Sequence, residues 1–253
     1  MISSNKGFSL VEMAIVLLIV GLLLGSMLVP LASQSDARNF SETQRRLDSA
    51  SEAILGFAIA NRRLPCPAVS GATGIEAPAG GGTCTTNFNG FLPAKTIGFQ
   101  PTDANGYAID AWGNPIRYAV ASAVTAATGG TCTGTLPHFT SQANMKANGL
   151  SCVPNDLDVI CSTASAGAGL AATCNSSVHV ASQKTVAYVV FSVGKNGATS
   201  GGADETENTN GNSTFVLRTA SESGSTLGQF DDMMVLVPVG VLYGKLVAAG
   251  ALP

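Results

Sequence analysis

The residues able to do chemistry in this chain are one carboxylate at the head of an apolar run, six cysteines, two histidines and two acidic clusters. Glu12 precedes residues 13–31, which carry no charged side chain. An ionised carboxylate is disfavoured in hydrocarbon, so one placed there pairs with a cation, snorkels to the interface or serves a function. Cys66, Cys84, Cys132, Cys152, Cys161 and Cys174 all follow the apolar run. An even number on one side of a membrane anchor reads as up to three disulfides in an oxidising compartment, with unpaired buried thiols as the alternative. Six cysteines allow fifteen pairings, and spacing does not choose among them. No Cys-x-x-Cys pair or close histidine pair is present, which argues against zinc. His138 and His179 are far apart and read as surface or packing residues. No Ser-His-Asp set, Gly-x-Ser-x-Gly elbow or phosphate loop accompanies them, so the chain is not expected to be an enzyme. Asp204, Glu205 and Glu207 lie in the polar, Gly-rich residues 197–212, and Asp231-Asp232 follows.

The elements that must carry these groups begin with the apolar run. About 20 apolar residues span a bilayer, and this run has that length. A secretory signal fits less well, because the run is long, a carboxylate opens it and Pro30-Leu31-Ala32 is a poor cleavage site. Gly21 and Gly25 make a small-xxx-small pair that lets helices approach, or reflect only the frequency of glycine in membrane helices. Pro30 removes a backbone donor and is expected to kink or locally unwind the helix. From residue 35 to about 61 the pattern turns amphipathic, with Phe40, Leu47, Ala50, Ile54 and Ala58 near three- and four-residue spacings. Leu64-Pro65-Cys66-Pro67 ends it. One helix of about 50 residues results, roughly 75 Å long if straight.

Beyond it the chain is loop-rich. Asp110-Ala111-Trp112-Gly113-Asn114-Pro115 reads as a turn leading into a strand at 116–120, with Trp112 packed on the helix. Residues 121–180 hold four of the six cysteines and read as a disulfide-stapled insertion with a short helix within 139–150. Residues 185–193 are the clearest strand, ending in the turn Gly194-Lys195-Asn196-Gly197. Further strands are expected at 215–218 and 232–237, and a short helix within 239–252. The fold class is α+β: a long N-terminal helix packed on a small antiparallel or mixed sheet with long disulfide-stapled loops. The net charge of −3 gives no basic field for nucleic acid. Charged residues are only 11% of the chain and glycines number 29, which suits an extracytoplasmic or assembly protein better than a helical cytosolic enzyme.

Gly7-Phe8-Ser9-Leu10-Val11-Glu12 followed by the apolar run closely resembles the class III leader junction of type IV pilins and type II secretion pseudopilins. The resemblance implies cleavage between Gly7 and Phe8 by prepilin peptidase, followed by N-methylation of Phe8. It implies a leader at 1–7, a membrane and filament-core helix at 8–31, its amphipathic continuation at 32–63 and a periplasmic head at 64–253. Glu12 would then neutralise the Phe8 amine of a neighbouring subunit, a buried pair that sets register more than stability. The implied partners are other pilin or pseudopilin subunits, the peptidase and an inner-membrane assembly platform. The protein would be single-pass in the inner membrane, with the filament in the periplasm or at the cell surface. The Asp110-x-Trp112-Gly113 segment is similar to one in major pseudopilins, which leans toward type II secretion. The enlarged head leans toward a minor or specialised subunit, with an adhesin or DNA-uptake tip pilin as the alternative. Major pseudopilins bind calcium after the comparable strand; here Asn196, Asp204, Asp231 and Asp232 are the candidate oxygen donors, with Asp231-Asp232 supplying carboxylates from further along the chain. Lys195 and Asn196 depart from that pattern, and a solvated loop is the competing reading.

Overall fold

The computed structural model describes residues 7, 9–127, 129–132, 137–164, 174, 179–181, 185–197 and 201–252, with the backbone alone for 24–33. Helix α1 spans Leu10–Asn61. It runs unbroken through Pro30, so the local unwinding expected there does not occur. The missing Pro30 N–H removes one helical hydrogen bond and its ring crowds the preceding turn, so a kink, the other expected outcome, remains compatible with a continuous helix. The chain divides into two units, Met1–Ser41 and Glu42–Pro253, and the second holds the rest of α1 with the head.

In that second unit the amphipathic stripe is core. Leu47, Ala50, Ile54 and Ala58 are fully buried. Burial contributes about 1.5–3 kcal/mol for each of the larger two. Arg62 adopts a left-handed φ of 55° just past the helix, the conformation that closes helix C-termini. The exit is then clamped. Glu76, buried, accepts two bonds from Arg63 at 2.7 and 2.8 Å, one from the Cys66 amide at 3.0 Å and one from the Gly80 amide at 3.1 Å. Burial pushes the Glu76 carboxyl up, but the Arg63 bonds and charge with the two amides outweigh it and hold it below its usual range. Cys66–Cys84 staples the same segment.

The main sheet has four antiparallel strands in the order β1 (Gly90–Phe91), β2 (Arg117–Val120), β6 (Val186–Ser192), β8 (Met233–Pro238). β6 is central and buried at every residue, as its apolar run from Val186 to Phe191 requires. Helix α2 (Ala94–Ile97) lies between β1 and β2 in sequence. In the insertion, β3 (Val124–Ala126) pairs antiparallel with β4 (Cys152–Pro154), and helix α3 (Gln142–Asn148) lies between them. Cys132–Cys152 and Cys161–Cys174 both fall inside the insertion.

Two elements depart from expectation. The strand after the acidic stretch, β7 (Thr214–Val216), pairs in parallel with β5 (Asp158–Ile160) and does not join the main sheet. The polar stretch itself contains a helix, α4 (Ala203–Thr209). Helix α5 (Val239–Ala248) follows β8 and buries Val239, Leu242, Tyr243 and Leu246 against the core. Asp110 organises its turn: Oδ1 accepts from the Trp112 and Asn114 amides, and Oδ2 from Ser192 Oγ at 2.6 Å. Arg46 of α1 donates to the carbonyls of Ile109 and Asp110, tying the turn to the helix.

Candidate functional site

Two regions carry the chemistry. At the N-terminus, Gly7 is exposed and Phe8 lies outside the described residues. Ser9 and Glu12 form a reciprocal cap: the Ser9 amide donates to Glu12 Oε2 at 2.7 Å, and the Glu12 amide donates to Ser9 Oγ at 3.2 Å. This capping box satisfies two of the donors that every helix N-terminus leaves open. Its Ser-x-x-Glu signature ahead of an apolar run is the sequence mark of a helix N-terminus, a role for Glu12 beside the ion pair and the snorkelling considered above. Behind the cap, large apolar side chains from Leu10 to Leu23 are exposed, Leu10 by 87% and Leu22 by 68%. Among the described residues no helix is long and apolar enough to cross a membrane. The expected 8–31 span includes Phe8 and the side chains of 24–33, which lie outside that description.

In the head, Glu205 on α4 meets Asp231 and Asp232, which immediately precede β8. One oxygen from each lies within 4.8 Å of the others, and all three residues are buried. Glu205 Oε1 accepts the Asp231 amide at 2.8 Å, and its Oε2 accepts Asn196 Nδ2 at 2.8 Å and the Gly201 amide. Asp231 Oδ2 accepts the Asn196 amide at 3.1 Å, and Asp232 Oδ2 accepts Asn208 Nδ2 at 2.7 Å. Asp231 Oδ1 is buried without a hydrogen-bond partner. Glycine is required at 194: with φ of 67°, a Cβ there would stand 2.2 Å from Asp231 Oδ1.

Burial pushes Asp231 up to about 6, against the Asn196 amide and reinforced by the Glu205 charge. Burial likewise pushes Asp232 up to about 7; the Asn208 bond opposes it, the Glu205 and Asp231 charges add to it, and Arg117 opposes it. A buried carboxylate with a free oxygen, crowded by like charges, favours a proton or a hard cation.

The expected ligand set is thus only partly gathered. Asp231 and Asp232 are together, and Asn196 braces both Asp231 and Glu205. Asp204 lies elsewhere: it pairs with Arg218 at 2.8 Å and accepts from Ser162 Oγ and from the amide and Oγ1 of Thr163. Successive residues on a helix point about 100° apart, so Asp204 and Glu205 cannot face the same site. His138 is buried and His179 lies 3.2 Å from Asp158. An open groove beside α1 is lined by Glu42, Arg45, Arg46 and Ser49, but Glu42 already pairs with both arginines.

Residues 2–28 match the family model described as the prokaryotic N-terminal methylation motif. No curated protein and no solved structure matches the chain. The match supports the type IV pilin and pseudopilin family, and the α+β fold with its three disulfides fits a pilin-like subunit.

Proposed function

We propose that this chain, whose N-terminus carries the methylation motif of pilin-type precursors, is a structural subunit of a type II secretion pseudopilus or type IV pilus-like filament. The single observation that carries the reading is that motif, which places Glu12 at the capped start of an apolar helix. Cleavage after Gly7 would remove Lys6 and leave a cationic amine on Phe8, four residues before Glu12. In the membrane the apolar helix would anchor the subunit with the head in the periplasm; in the filament it would form the core. The Asp110-x-Trp112-Gly113 turn favours the secretion system. The disulfide-stapled insertion favours a minor or specialised place within it. Mass spectrometry of the chain made with and without prepilin peptidase tests the assignment. The expected product begins at N-methylated Phe8 only when the peptidase is present. A chain cut near Ala32, or uncut in both cases, would overturn it.

The orphaned Asp231 oxygen favours a second, separate reading: Glu205, Asp231 and Asp232 hold a calcium ion braced by Asn196. Calcium takes six to eight oxygens, so water or carbonyl oxygens must complete the shell. Calorimetric titration of the purified chain with calcium should show one site that Asp231→Asn removes. Equal binding by that variant would refute it.

A further inference from the structure

Helix α5 is docked through a buried relay that none of the preceding chemistry uses. His138 is 1% exposed, lies edge-on to Phe139 and places Nε2 3.0 Å from the Tyr243 hydroxyl on α5. That hydroxyl also contacts the Cys152 carbonyl on β4. A carbonyl only accepts, so Tyr243 donates to Cys152 and must accept from His138. The imidazole is therefore the Nε2–H tautomer, and Nδ1, buried without a partner, keeps its lone pair. Adding a proton there would create a cation whose new N–H has no acceptor, in a site sealed from water.

We propose that the relay is an acid latch: protonation of His138 is incompatible with the docked state, so acid frees α5 and the β3–β4 strand pair from the head. Three elements meet in the relay: the His138 segment with Phe139, α5 through Tyr243, and β4 through the Cys152 carbonyl that Tyr243 reaches. Among the described residues in these contacts Tyr243 is the ionisable one, and burial pushes its own ionisation further up, so it stays neutral. Burial alone moves His138, down to about 4. The lowered value fixes the sign. The docked state is fully favoured above the ordinary histidine value of 6.5, and that advantage is lost as pH falls toward 4. With those two values, opening at pH 5 exceeds opening at pH 7.5 by about thirtyfold.

Hydrogen exchange of the full chain in detergent, corrected for intrinsic rates, tests this on peptides covering 239–252. The expected result is the thirtyfold rise in opening, while peptides covering 47–58 of α1 stay protected. His138→Gln keeps a donor for Tyr243 without titrating and should abolish the rise. An equal rise in His138→Gln, or flat protection in the unmodified chain, overturns the proposal. Ring-proton titration of the unmodified chain, assigned with His179→Asn, serves even where the Gln variant does not fold. A His138 midpoint near 6.5 with α5 still protected overturns it equally.

Discussion

Removing the Asp204 carboxylate is the sharpest test of how the head is wired. Arg218 and Asp204 side chains are 1% and 3% exposed, and their N–O distance is 2.8 Å. Arg218 also donates to Ser221 Oγ and to the carbonyls of Leu227 and Gly228, and stacks 4.6 Å over Phe230. Breaking a buried ion pair from one side costs about 3–5 kcal/mol, because the remaining charge is left uncompensated. The carbonyls soften that loss, but Ser162 and Thr163 also lose their acceptor, so Asp204→Ala should cost about 3 kcal/mol. For a unit of this size that corresponds to a fall in Tm of roughly 6–12 °C. Thermal unfolding of the full chain in detergent, monitored by circular dichroism, reads it. Asp204→Ala with Arg218→Met should recover part of the loss, since both charges are then gone. The increment in Tm produced by calcium should be unchanged, because Asp204 faces away from the acidic cluster. A fall below 2 °C by the scale of about 2–4 °C per kcal/mol, or loss of the calcium increment, would refute the reasoning.

Three further outcomes follow from the head. In chelator, stability should be greatest at low pH as far as Asp231 and Asp232 are concerned: their raised values, about 6 and about 7, mean stability is present below the ordinary aspartate value and lost as pH rises through them. The loss is roughly 3 kcal/mol or more, read by urea unfolding of Asp231→Asn/Asp232→Asn against the unmodified chain, and saturating calcium should reverse it. Gly194→Ala should drive Asp231 from its place, lowering Tm and weakening calcium binding tenfold or more on the order expected for losing a ligand contact of ~1.4 kcal/mol, by calorimetry. Nonreducing peptide mapping should recover Cys66–Cys84, Cys132–Cys152 and Cys161–Cys174; any other pairing contradicts the fold.

Elements with strong apolar periodicity were readable in advance. The 47–58 stripe of α1, the apolar run of β6 from Val186 to Phe191 and the α5 face at 239, 242 and 246 each declare their packing through local sequence alone. What stayed hidden depends on distant partners. Helix α4 has the sequence Ala-Asp-Glu-Thr-Glu-Asn-Thr, with no apolar stripe; Glu205 bonded to the Asp231 amide and Asn208 bonded to Val216 hold it in place. β7 looked like a strand, but nothing local says that β5 is its partner. Asp204 and Glu205 are neighbours of the same chemistry, and only the helical turn between them sends one to Arg218 and the other to the acidic cluster. Glu12 was legible as a costly residue, and its cap with Ser9 shows that the carboxylate already has a task within its own chain.

In the proposed filament Glu12 would also work between chains, neutralising the Phe8 amine of a neighbouring processed subunit. Incorporation of Glu12→Ala into sheared filaments, measured beside the unmodified chain in cells with the peptidase, tests it directly. The expected result is a variant that is inserted, cleaved at Gly7 and absent from the filament fraction. A variant that is cleaved and incorporated as well as the unmodified chain would contradict the account.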